Sequence, residues 1–172
     1  MGNTDPKKNS YNTILGFLKA CPHLHEDFKL VVAEFNSTLQ SLFTKEAEWA
    51  QFHDRIYSIG YVHNQDMPAL LSLAEVLLYT SRRESFGLPI LEAMACGLPV
   101  ITSNTSSMPE IAGNAALQVD PERSEEIAKA LVNLLSDEEW RKRLKQLGLQ
   151  RAKEFSWLSS AQKTLSIYNE CI

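Results

Sequence analysis

Two glutamates, Glu84 and Glu92, stand with seven residues between them in the run SRRESFGLPILEAMACG, residues 81–97. Glu84 precedes Phe86-Gly87-Leu88-Pro89. The glycine lets backbone approach a ligand closely, and the proline suits the first turn of a helix. The amides of Gly87, Leu88 and Ile90 open that helix, and unpaired amides at a helix start bind anions. Glu92 lies about one turn further on, roughly 4.5 Å of rise from Pro89. One carboxylate ahead of an anion site and one behind it would bracket a ligand with hydroxyls on both sides of a phosphate. A carboxylate accepts two hydrogen bonds from a vicinal diol, and its charge strengthens them. A nucleotide sugar has that layout: sugar hydroxyls, diphosphate, ribose hydroxyls. Spacing alone leaves the other reading open, with Glu84 a solvated loop acid and Glu92 an exposed helical one.

The elements that must hold these groups alternate along the chain. Short β-branched apolar runs predict strands over 28–33, 55–59, 75–79, 99–102 and 116–119. Apolar residues at helical spacing predict helices over 11–21, 36–52, 65–74 and 89–96, with Gly97 just past the end of the last. Such alternation implies right-handed crossovers and a Rossmann-like parallel sheet with flanking helices, an α/β fold. Ligands of open α/β sheets bind at the carboxyl ends of strands, and the glutamate-bearing loop follows strand 75–79. The last third is helical. Ile127, Leu131, Leu134 and Leu135 share one stripe, Ser136 with Glu139 reads as a capping box for the next helix, and a final helix is predicted over 157–168.

Composition narrows the class. The chain has 172 residues, 44% of them hydrophobic, and a net charge of −4. That charge gives no electrostatic footprint for nucleic acid, and no apolar run reaches the roughly 18 residues of a membrane helix. Cys21, Cys96 and Cys171 are odd in number and scattered, which argues for a reducing cytoplasm over a disulfide framework. His23, His25, His53 and His63 lack the partners a metal site needs, so no metal is expected. No G-x-G-x-x-G follows a strand, against a dehydrogenase, and no G-x-S-x-G surrounds Ser81, against a hydrolase. Thr102, Ser103, Thr105, Ser106 and Ser107 form a hydroxyl-rich loop that either touches a ligand phosphate or caps the next helix. Arg82 and Arg83 either supply charge to a ligand or pair with nearby acids. Trp140, Phe155, Trp157 and Tyr168 are expected in core or inter-domain packing.

Segment 84–101, ESFGLPILEAMACGLPVI, resembles the donor signature of the retaining glycosyltransferases of GT-B-fold family 4, E-x-F-G-x-P-x-x-E-A-M-A-x-G-x-P-V-I, at every fixed position. DPKKN, IYSIGYV, SNTSSMPEIAGNAALQVDP and EFSW resemble flanking segments of the same family, so the likeness covers nearly the whole chain. It implies that Glu84 contacts donor-sugar hydroxyls, that the backbone of Phe86, Gly87 and Leu88 lines the sugar and phosphate pocket, and that Glu92 holds the ribose. Lys8 would neutralise the diphosphate as it leaves. Tyr61 and Val62 would lie beside the base, and Asn3 stands where the family often carries an arginine for phosphate.

The resemblance further implies a single donor-binding domain over 1–172, one GT-B lobe with a helical C-terminal tail. The reaction would move a hexosyl unit with retention from a UDP-, GDP- or ADP-sugar to a glycan or lipid-linked acceptor, with no further cofactor. On this reading the N-terminal acceptor lobe would be missing from residues 1–172, so these residues alone would be catalytically incomplete, and the full enzyme would associate peripherally with membranes. The alternative is a non-catalytic binding or assembly module derived from such a domain. The sheet should also lack its first, central strand. That would leave a gap between strands 28–33 and 55–59 on one side and the remaining three on the other. Three explanations suit it: a fragment of a longer protein, a split-gene product, or a chain whose gap is filled or collapsed.

Overall fold

The computed structural model describes residues 5–33 and 35–170, so Asn3 lies outside the described residues. Five short parallel strands fall into two sheets. Strands β1 (Leu30–Val32) and β2 (Ile56–Ser58) pair with Leu30 opposite Ile56. Strands β3 (Leu77–Tyr79), β4 (Val100–Ser103) and β5 (Leu117–Val119) form the second sheet in that order. Among the described residues the division between sheets falls at the gap the sequence led us to expect. The fold class is as expected: α/β, with parallel strands covered by helices.

β4 is the central strand of its sheet and all four of its residues are buried. Successive side chains of a strand point to opposite faces, and β4 feeds two cores. Val100 joins Tyr79, Ile90, Met94 and Met108 on one side. Ile101 joins Phe17, Val119, Ile127 and Leu131 on the other. The first face is covered by α5 (Leu88–Ala95) and α6 (Met108–Ala112), backed by α8 (Glu138–Lys153). The second is covered by α1 (Ser10–Ala20) and α7 (Ser124–Ser136). Those two helices touch through Gly16, where an added Cβ would come within 2.6 Å of the Ile127 side chain. Leu30 and Ile56 reach this same core, so the two sheets share packing across their division.

Two local expectations change. Residues 36–52 do not form one helix but α2 (Ser37–Ser41) and α3 (Ala47–Phe52). Six residues separate Phe43 from Trp49, which a continuous helix would set about 120° apart around its axis. With the helix broken, both rings reach one cluster: Phe43 stacks on Tyr11 at 5.0 Å and on Trp49 at 5.7 Å. The N-cap of α8 is Asp137, whose carboxylate accepts the Trp140 amide at 2.8 Å, and not Ser136. Either residue suits a cap. The charge on aspartate also favours the positive end of the helix dipole.

The remaining helices are α4 (Met67–Leu73) and α9 (Trp157–Glu170). No residue of α9 is buried, and Trp157 and Tyr168 are 81% and 63% exposed. Core packing is therefore not where these two aromatics lie. Trp140 does pack against the second core, and Phe155 against the first.

Candidate functional site

The loop after β3 carries Glu84, and α5 begins as that loop ends. Gly87 is the N-cap of α5 at φ 106°, a conformation that favours glycine, and a Cβ added at this buried position would come within 3.3 Å of the Ile90 side chain and 4.0 Å of the Tyr79 ring. The Ile90 amide donates to the Gly87 carbonyl at 3.0 Å, so of the three amides expected at the opening, Gly87 and Leu88 remain there. Phe86 and Leu88 are 41% and 43% exposed around it. Glu92 is exposed one turn along the helix. At the far end the Gly97 amide bonds to Met94 and the Leu98 amide to Ala93, the paired closure in which Gly97 was expected.

The structure brings Lys8 and Glu84 together across 76 residues of chain. The Lys8 ammonium donates to both carboxylate oxygens, at 2.8 and 3.1 Å. Glu84 is only 14% exposed, and burial alone would raise its pKa. Hydrogen bonds from Lys8, Tyr79 and Ser81, with the lysine charge, outweigh burial and hold the carboxyl below its ordinary value. In return, burial and Glu84 push the Tyr79 phenol well above its ordinary value.

Lys8 is placed by its neighbour. Asn9 closes the short turn Pro6–Lys8 at φ 54° and is 1% exposed. Its side-chain amide donates to the Thr80 carbonyl at 2.8 Å and the Pro121 carbonyl at 2.7 Å, joining three loops. Arg82 adds to this junction, reaching Glu122 at 2.5 and 3.0 Å and the Pro6 carbonyl at 2.8 Å. Of the two readings for Arg82, pairing with an acid is the one seen. Arg83 is exposed.

The hydroxyl loop neither caps α6 nor stands idle. Ser107 is the N-cap of α6 yet makes no side-chain cap bond. Instead five hydroxyls meet five carbonyls of the β3–α5 segment in matching order. Thr102 donates to Tyr79 at 2.9 Å, Ser103 to Ser81 at 2.5 Å and Thr105 to Arg82 at 3.1 Å. Ser106 donates to Glu84 at 2.9 Å and Ser107 to Phe86 at 2.8 Å. The parallel ladder between β3 and β4 is thus continued by side chains after the backbone pairing stops. Phe86 gains a second support edge-on from the Phe155 ring at 6.0 Å, itself under the Arg151 guanidinium at 4.8 Å.

Sequence reasoning missed Asn9 and the direction of these hydroxyls. The available signal was five hydroxyl residues among six positions, a composition that favours side-chain bonds to nearby backbone. Tyr61 and Val62 follow β2, and Tyr61 is 79% exposed with its ring edge-on to His63. Among the described residues, no hydrogen bond or ring contact joins them to Lys8 or Glu84. Surface hollows of about 420 and 310 Å³ lie beside Lys19 and beside Cys96, and neither is lined by Lys8, Glu84 or Glu92. Among the described residues, no group of three His, Cys, Asp or Glu residues could hold a metal ion, and no helix is long and apolar enough to cross a membrane.

Residues 2–151 match the model of the family described as glycosyl transferases group 1. The chain belongs to that family. It is 34% identical to O-antigen chain mannosyltransferase B of Escherichia coli, over 98% of this chain and 44% of that protein. It is 35% identical to the MMP alpha-(1->4)-mannosyltransferase of Mycolicibacterium hassiacum, over 69% of this chain and 30% of that one. The chain therefore spans less than half the length of these relatives. Among solved structures, sucrose-phosphate synthase from Thermosynechococcus elongatus superimposes with a TM-score of 0.77 at 25% identity, over 99% of this chain and 44% of that chain. Anabaena HepE in complex with UDP and glucose gives 0.77 at 18% identity, over 98% and 46%, a likeness of fold. This glycosyltransferase family member thus has the Rossmann-like fold of a GT-B lobe.

Proposed function

We propose that residues 1–172 form the donor-binding lobe of a retaining family 4 glycosyltransferase, which moves a hexosyl unit from a nucleoside diphosphate to a glycan or lipid-linked hydroxyl. The observation that carries this reading is the Lys8 ammonium closed on Glu84 beside the opening of α5. An ammonium, a helix start and a carboxylate in one place suit a diphosphate joined to a polyol. The names of the relatives favour mannose as the hexose. The acceptor would be carried by a second lobe.

The geometry also suggests an order of events. A carboxylate has about four lone-pair sites. Two on Glu84 face Lys8, so in the unliganded site the ion pair is closed on itself. A lysine has three donors, and a diphosphate offers it more charge than one carboxylate. The incoming diphosphate draws Lys8 away from Glu84, which frees the carboxylate to accept donor-sugar hydroxyls. Lys8 then sits on the oxygens that gain charge when the sugar leaves, while the α5 amides of Gly87 and Leu88 assist. Glu92, exposed on α5, accepts the ribose hydroxyls. In this reading neither glutamate acts as a covalent nucleophile; retention follows from attack on the face the departing phosphate occupies.

A thermal-shift panel of UDP-, GDP- and ADP-hexoses tests the reading. A ligand that binds only the folded chain stabilises it by about 2.7 kcal/mol at a hundred times its Kd. At least one donor should raise the midpoint more than its parent nucleoside diphosphate does. A panel with no shift at millimolar ligand overturns the reading.

A further inference from the structure

We propose that Ser106 is a positioning residue, whose hydroxyl clamps the backbone of Glu84 and so sets that carboxylate against the sugar of a bound donor. The inference rests on the donor-lobe reading and adds to it a residue outside the glutamate signature. Ser106 both donates to the Glu84 carbonyl at 2.9 Å and accepts the Glu84 amide at 3.3 Å. It is the member of the hydroxyl series that holds both backbone groups of one residue. The other four reach carbonyls, and Ser107 shares the Glu84 carbonyl at 3.1 Å.

Its backbone marks it further. Ser106 sits at φ 58°, and the other described non-glycine residue with positive φ is Asn9, which fixes the Lys8 loop. Left-handed backbone is costly for serine and free for glycine. The strained residues therefore flank the two members of one ion pair, Asn9 beside Lys8 and Ser106 across from Glu84. Ser106 is exposed, so it serves no core packing. It caps no helix either; the N-cap of α6 is Ser107. What the strained geometry achieves is the aim of one hydroxyl at one residue.

Ser106→Gly suits the left-handed backbone and removes the exposed hydroxymethyl group, which separates positioning from folding. Two readouts on the full 172-residue chain decide the matter. The first is the titration of the Glu84 carboxyl by NMR without ligand. It should move up toward the ordinary glutamate value in Ser106→Gly, because the bonds from Lys8, Tyr79 and Ser81 lose their alignment; an unmoved titration overturns the clamp. The second is the ratio of affinities for a nucleoside-diphosphate hexose and its parent nucleoside diphosphate. The ratio should fall about tenfold while affinity for the parent stays within about twofold. Equal weakening of both, or no weakening, overturns the positioning role. A wild-type chain that binds neither ligand overturns the donor reading instead, and the titration then decides the clamp by itself.

Discussion

The two sheets are built from the same strand–helix grammar and are held in different ways. Around β1 and β2 the burden falls on a few large side chains. Arg55, 6% exposed, gathers the carbonyls of Cys21, His25 and Phe28 through four hydrogen bonds of 2.6–3.1 Å. Phe43, fully buried, anchors a stack with Tyr11 and Trp49. Around β3, β4 and β5 the loops are instead fixed by many short side chains bonded to one or two backbone groups apiece. Their ends carry the charged residues of the site. Concentrated packing stabilises; distributed hydrogen bonding positions. The first half should therefore fail by unfolding and the second by losing recognition.

The sharpest break in this contrast is Arg55→Met. The buried carbonyl of Cys21 and the partly buried carbonyls of Phe28 and His25 lose a charged donor, each deficit being worth about 1–3 kcal/mol, so a loss near 4 kcal/mol is expected in urea unfolding. Nucleotide affinity of the fraction that remains folded should not change. A loss under about 1 kcal/mol would show that water replaces the guanidinium without cost. Gly16→Ala comes next. The new methyl meets Ile127 at 2.6 Å, and overpacking of this kind costs about 1–3 kcal/mol against a gain near 1 from helix propensity. The net destabilisation of about 1 kcal/mol should leave the Lys8–Glu84 pair intact.

On the site side, Glu84→Gln tests a pH dependence. The folded carboxyl lies below its ordinary value, so its contribution to stability is complete above the ordinary carboxylate range and is lost as pH falls through the lowered value. The variant should be less stable than wild type at pH 7, with the gap closing on acidification. A gap that stays constant down to about pH 3 contradicts the pairing. Glu92→Ala should have the smallest effect on folding, within about 0.5 kcal/mol for an exposed side chain. It should still weaken binding of nucleotide with or without sugar.

The same contrast explains what could be read in advance. The order of strands, the helix from Gly87 to its closure at Gly97, and the placing of Glu84 and Glu92 follow from local signals: periodicity, proline and glycine positions, and a long motif. Residues 36–52 misled because the stripe through Leu39, Leu42 and Phe43 is helical in period, whereas the break depends on Phe43 and Trp49 sharing a cluster with Tyr11, a contact between distant segments. Leu42 is accordingly 51% exposed. The pairing of Lys8 with Glu84 depends on Asn9 reaching Thr80 and Pro121, separations of 71 and 112 residues that no window contains. The hydroxyl series was visible as composition, but its acceptors belong to another loop.

Calorimetric titration of the chain with nucleoside-diphosphate hexoses and their parent nucleotides tests the central claim most directly. The wild type should bind at least one sugar nucleotide more tightly than its parent. Glu92→Ala should weaken both, and Glu84→Ala should remove the sugar's advantage while leaving the parent bound. A folded wild-type chain that binds none of them, or binding indifferent to both substitutions, would contradict the account.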